Sequence, residues 1–171
     1  MKQRLAFALA LTTLAALSLG QADGTRQVKV NQPLPKFSLT TASGKKFTNA
    51  NLKGKVAIID FWATWCLPCK KSIPMLQYLH NKYSSQGLVV VGAEVQDEGA
   101  SKESLDRFIK KQGMTYTVTV KSDKLADHLG VYGLPTLLVV DRKGKIVNVI
   151  EGVEFGEQDR LDTMVKQLLK K

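Results

Sequence analysis

Both cysteines of this 171-residue chain lie in one short segment, Trp65-Cys66-Leu67-Pro68-Cys69. Two cysteines with two residues between them can close a small disulfide ring. Opened, either sulfur can attack another disulfide as its thiolate. The segment follows the almost wholly apolar run Val56–Trp62 and precedes helical spacing over Ser72–Tyr83. The pair therefore falls where a strand ends and a helix begins. A helix N-terminus offers free N–H groups and a partial positive charge, and both stabilise a thiolate. Cys66 at the tip is the expected exposed nucleophile, and Cys69, one turn inward, the expected resolving thiol. Lys70 and Lys71 add positive field. Pro68 falls in the first turn, where a missing N–H costs nothing.

Two other uses of the cysteines compete with redox chemistry. A purely structural disulfide across two residues closes too small a loop to stabilise much. A zinc site would need Cys66, Cys69, His80 and His128, yet the histidines stand 48 positions apart, unlike the close pair of a zinc finger. Both histidines read more simply as surface or packing residues. Asp60 interrupts an apolar run six positions before Cys66. Buried in a strand, its carboxyl would have a raised pKa. At a strand end it would instead reach water or Lys55. Glu94, Asp97 and Glu98 are weaker acidic candidates, since most acids there are loop residues. Trp65 beside Cys66 limits access and offers an apolar contact surface, while Trp62 reads as packing. Pro135, in Gly133-Leu134-Pro135-Thr136, precedes a strand, and the residues alone leave its peptide bond open between cis and trans.

The elements around these residues follow from periodicity. Phe37, Leu39 and Phe47 flank Ser43-Gly44, a short hairpin. Val56–Trp62 and Leu88–Val95 are strands buried on both faces. Ile73, Leu76, Leu79 and Tyr83 make a helical stripe, and Pro74 is expected to kink that helix. Leu105, Phe108 and Ile109 mark a second helix ending near Gly113. Thr115–Val120 is a short strand, and Leu125 and Leu129 share a helix capped by Asp123 and ended by Gly130. Thr136–Val140 and Lys145–Ile150 flank the turn 141–144, and Leu161, Met164, Val165, Leu168 and Leu169 form a terminal amphipathic helix. Strands alternating with helices and then closing in a hairpin predict a mixed sheet with helices on both faces.

Composition excludes other classes. The chain is 44% hydrophobic and 23% charged, ordinary for a globular domain, so disordered and multi-pass membrane readings fail. The net charge of +10 comes from lysines spread along the chain without an arginine block, which favours a solvated surface over nucleic-acid binding. Lys2 and Arg4, the apolar run Leu5–Leu19 and Gly20-Gln21-Ala22 read as a signal peptide over 1–22, cleaved after Ala22. An uncleaved anchor is the competing reading. Residues 23–32 read as a loose lead-in. Export would place the cysteines in an oxidising compartment.

The run from Val56 to Cys69, with Gly133-Leu134-Pro135-Thr136 downstream, resembles the thioredoxin superfamily. Pro35-Lys36-Phe37-Ser38-Leu39 and Leu52-Lys53-Gly54-Lys55 narrow the resemblance to secreted TlpA/ResA-like thiol–disulfide oxidoreductases of the redoxin/AhpC-TSA group. It covers residues 33–171. It implies an α/β thioredoxin fold, a mixed central sheet with helices on both faces and an added N-terminal β-hairpin. It also implies a redox-active Cys66–Cys69 pair, no cofactor and no metal. Pro135 would be cis and face the cysteines, keeping metal off the thiols. The Leu134 backbone would pair with an extended substrate, and Trp65, Leu67 and Pro68 would complete the contact surface. Asp60 would exchange protons with Cys69.

Two positions depart from the pattern: Asp60 stands where many TlpA-like chains carry Asn, and Ser72 where Glu is common. The expected partners are protein disulfides or thiols in the periplasm or cell envelope, including those of cytochrome c maturation. A membrane thiol-transfer protein would be the electron donor, and the chain itself a monomer without nucleic acid. Leu67-Pro68 carries no histidine between the cysteines, which favours reduction of substrates. A peroxidase of the same superfamily would need Thr and Pro at positions held by Ala63 and Ile59. A copper carrier would need three residues between the cysteines. A non-catalytic metal-binding module is the reading from a different class.

Overall fold

The computed structural model describes residues 28–96 and 99–171. Seven strands form one sheet: β1 (Ser38–Thr41), β2 (Lys46–Thr48), β3 (Val56–Trp62), β4 (Leu88–Glu94), β5 (Thr117–Val120), β6 (Thr136–Val140) and β7 (Ile146–Glu151). Their order is β2-β1-β5-β4-β3-β6-β7. β3, β4 and β5 run parallel, while β1, β2, β6 and β7 join antiparallel. The expected hairpin β1–β2 extends the sheet by pairing Thr40 with Val120 at the β5 edge.

Alternation along β3 sorts the core into two layers, because successive side chains point to opposite faces. Val56, Ile58 and Trp62 meet α1 (Cys69–Tyr83), α2 (Lys102–Lys111) and α4 (Glu157–Leu169). Ala57, Ile59 and Phe61 meet α3 (Asp123–Leu129) and Leu52 of a 3₁₀ turn. Every residue of β3 is buried. A central strand covered by helices on both faces has no solvent side, so it carries no polar alternation.

α1 runs from Cys69 to Tyr83 with Pro74 inside it. Two local expectations change. β7 lies one residue later than the sequence places it. The N-cap of α3 is Ser122, not Asp123: the Asp123 carboxylate accepts the Gln96 N–H at 2.8 Å instead. Just ahead of Pro33, the Asn31 N–H donates to the Ile146 carbonyl and the Gln32 carbonyl accepts from the Ile146 N–H. The signal-peptide reading and residues 23–27 of the lead-in lie outside the described residues.

Candidate active site

The buried strand β3 delivers its last residues to a tight turn, and α1 begins at Cys69 with Pro68 as N-cap. Cys66 and Cys69 are joined by a disulfide. The first helical amide, Cys69 N–H, donates to Cys66 Sγ at 3.2 Å. A helix N–H aimed at this sulfur favours its anionic form once the bond is opened. Cys66 is less open than the sequence suggests. It is 4% exposed and Cys69 is 0% exposed. The flanking Trp65, Leu67 and Pro68 crowd around Cys66, which keeps only an edge on a groove of about 360 Å³. Cys69 does not border that groove.

The groove joins Trp65, Cys66, Leu67, Pro68 and Leu134 with Gln96 and Tyr132. Trp65, Leu67 and Tyr132 are 57%, 70% and 71% exposed. Large side chains are thus left open to solvent around one sulfur. Trp65 is held by its indole N–H, which donates to the Gln96 carbonyl at 2.9 Å. Gln96 is itself held by Asp123 at the start of α3. The Leu134–Pro135 bond is cis. Gly152 N–H binds the Pro135 carbonyl at 2.8 Å, and Thr136 Oγ1 donates to the Gly133 carbonyl, so the loop beside the groove is fixed on both sides.

Asp60 sits in mid-strand and is fully buried, which removes the reading of a carboxylate in water or beside Lys55. Burial raises its pKa from 3.8 to about 8, against a smaller lowering by Ser72. Ser72 Oγ stands 3.1 Å from Asp60 Oδ2 and 2.8 Å from the Cys69 carbonyl oxygen. Serine has one proton to give. Donated to Oδ2, it favours the carboxylate. Donated to the Cys69 carbonyl, it leaves Oδ2 free to donate in turn, which suits the protonated acid. Ser72 thus ties Asp60 to the turn that carries Cys69.

Glu94, His80 and His128 do not border the groove. Glu94 is buried at the end of β4, and its Oε2 accepts the Lys121 N–H at 2.8 Å. That contact fixes the loop after β5. Asp97 and Glu98 lie outside the described residues. His80 is on α1 and His128 on α3, on opposite faces of the sheet. They cannot close one zinc site with the cysteines. Among the described residues no cluster of His, Cys, Asp or Glu is placed to hold a metal ion. Ala63 and Ile59, at the positions a peroxidase fills with Thr and Pro, are buried apolar residues.

The family model described as AhpC/TSA matches residues 30–149. The chain belongs to the AhpC/TSA family. It is 33% identical over 130 residues to thiol-disulfide oxidoreductase ResA of Bacillus subtilis (strain 168), covering 75% of this chain and 71% of that one. ResA of Bacillus thuringiensis (strain Al Hakam) is 31% identical over 133 residues, covering 77% and 75%. A crystal structure of a thiol:disulfide interchange protein, of the thioredoxin family, from Chlorobium tepidum TLS superposes with a TM-score of 0.71. It is 33% identical over 82% of this chain and 98% of that one. This AhpC/TSA member therefore has a thioredoxin-like fold and is a thiol–disulfide oxidoreductase.

Sequence reasoning missed Ser72, Gln96 and Tyr132 as site residues. Ser72 stands one turn after Cys69, a spacing that could have flagged it. Tyr132, just ahead of Gly133-Leu134-Pro135, was a visible aromatic. Nothing in the sequence points to Gln96.

Proposed function

We propose that this protein is a cell-envelope reductant of protein disulfides. The observation that carries the reading is the asymmetry of the pair: Cys66 borders an exposed apolar groove, while Cys69 is buried beside the Ser72–Asp60 contact. In the reduced protein, Cys66 thiolate attacks one sulfur of a substrate disulfide. A Cys66–substrate disulfide forms and the other substrate sulfur leaves as a thiolate. Cys69 then attacks Cys66 Sγ, giving its proton to the Asp60 carboxylate, and the second substrate sulfur leaves. Two electrons pass to the substrate and the Cys66–Cys69 disulfide is regenerated. The extended substrate segment lies along Leu134–Pro135, with Trp65, Leu67 and Pro68 in apolar contact. A membrane thiol-transfer protein returns the electrons, and the protein works as a monomer. Envelope placement is supported by Lys2, Arg4, Leu5–Leu19 and the small-residue exit at Ala22. Among the described residues no helix is long and apolar enough to cross a membrane.

Direction follows from how weakly the thiolate is stabilised. Leu67-Pro68 adds no cation, so stabilisation comes from the helix terminus and the field of Lys70 and Lys71. A modestly stabilised thiolate leaves the reduced form reactive. Equilibration against a thiol–disulfide buffer series should give a potential nearer the ~−270 mV of thioredoxin than the ~−120 mV of the oxidant DsbA. A value at the oxidant end would make the protein a disulfide donor. Covalent capture by a Cys69→Ser variant, with the bound chain identified, tests the substrate assignment.

A further inference from the structure

Asp60 Oδ2 has Ser72, but Asp60 Oδ1 has no hydrogen-bond partner among the described residues. Trp62 Nε1 and Tyr116 Oη share that condition, and all three side chains are buried. Buried polar atoms are rarely left unpaired, because stripping one of water without a replacement partner is costly. The three residues adjoin one another around Gly92. Trp62 follows Asp60 by two residues in β3, so their side chains share a face. Across the strand pair, Asp60 is aligned with Gly92. A Cβ built on Gly92 would lie 2.8 Å from Trp62 Nε1 and 3.2 Å from Tyr116 Cε2. Because residue 92 is a glycine, Trp62 Nε1 and the ring edge of Tyr116 can lie over its Cα on the side Asp60 faces, with the Met114 methyl 3.5 Å from the same point. The Tyr116 ring also lies close enough for the Asp60 charge to raise its hydroxyl pKa, after the larger effect of burial.

The chemistry of the three atoms is complementary. Indole N–H and phenol O–H donate, and a carboxylate oxygen accepts. A water accepts from both donors and returns a proton to Oδ1. A polar space with several convergent partners is where buried water is found. We propose that Asp60, Trp62 and Tyr116 hold a buried water over Gly92, and that Tyr116 acts through it as a positioning residue for the Asp60 proton. The second half rests on the reading that Asp60 exchanges protons with Cys69.

The surrounding groups are few. From α1 come Ser72, Cys69 and His80, the last edge-on to Tyr116 at 6.2 Å between ring centroids. From α2, Phe108 stacks on Trp62 at 5.2 Å, with Lys70 Nζ 6.0 Å above its ring. Glu94, two residues beyond Gly92, is bound to Lys121 N–H. Leu137 of β6, aligned with Asp60 on the other side, is apolar.

Two measurements on the oxidised full chain test the site, and both must succeed. A water cross-peak at the Trp62 indole proton is expected in ¹⁵N-edited spectra, and its absence overturns the proposal. The Asp60 carboxyl band, assigned in the infrared by difference against Asp60→Asn, is followed with pH. Tyr116→Phe removes a donor to the charged form, so the midpoint should rise by about one pH unit. A midpoint that stays or falls overturns the proposal. The Tyr116→Phe exchange of Cys69 with a mixed disulfide should shift its pH profile by the same amount. An unshifted profile refutes the positioning role. If Asp60→Asn itself leaves exchange rates unchanged, Asp60 leaves the mechanism, and the two spectroscopic results still judge the water site by themselves.

Discussion

Asp60→Asn should stabilise the oxidised protein, and by more at pH 8 than at pH 4. The folded chain buries this carboxyl and lifts its pKa from the ordinary 3.8 to about 8. Below the lower value the acid is protonated in both states, and Asp costs nothing for its charge. Between the two values the unfolded chain ionises while the folded chain resists. Native stability therefore falls as pH rises through this window, and the loss is complete above the folded value. Each unit of separation is worth ~1.4 kcal/mol, so a separation of about four units sets a ceiling of ~6 kcal/mol. Asn is nearly isosteric and cannot ionise. Urea unfolding of both proteins at pH 4, 6 and 8, with the disulfide intact, gives the difference in stability at each pH. Every other titrating group is common to both chains and drops out. The advantage of Asn should grow by at least ~2 kcal/mol from pH 4 to pH 8. A difference that is flat across the window would show that Asp60 keeps an ordinary pKa, and the argument from burial would fail.

Three further outcomes follow from the geometry. In the reduced protein, Cys66 should be alkylated with a midpoint below the ~8.5 of a free cysteine, because the Cys69 N–H already points at its sulfur; labelling only above that value would refute the helix-terminus argument. Trp65→Phe keeps an apolar ring but loses the bond to the Gln96 carbonyl, so KM for a protein disulfide should rise ~5-fold with kcat little changed; an unaltered KM would separate Trp65 from the docking surface. Leu79→Ala, deep under the α1 face of the sheet, should cost ~2–5 kcal/mol in urea unfolding and leave the Cys66 labelling profile where it was; a shifted profile would show that packing there reaches the site.

Features whose cause is local were readable from the chain. The redox pair, the strand before it and the helix after it are contiguous, so one stretch of residues sets their order and spacing. Gly130 takes the left-handed conformation that ends α3, as a glycine at that position should. Asp123 shows where local reading fails. Its type and place suit an N-cap, but the Gln96 amide lies 2.8 Å from its carboxylate, and that longer-range partner wins. Ser122, at the cap itself, instead pairs its hydroxyl with Thr119 at 3.0 Å.

The site's depth belonged to the tertiary structure. Asp60 could have been a solvated strand end until β4 and β6 flanked it and α1 closed over it. Ser72 comes from α1, Gly92 from β4 and Tyr116 from the connection just before β5, and no spacing in the sequence relates them. Sequence fixes which groups can donate, accept or ionise. Only the packing of strand on strand and helix on sheet decides which of those groups lose their water together, and that loss is what moves a carboxyl's pKa and makes an unpaired donor costly.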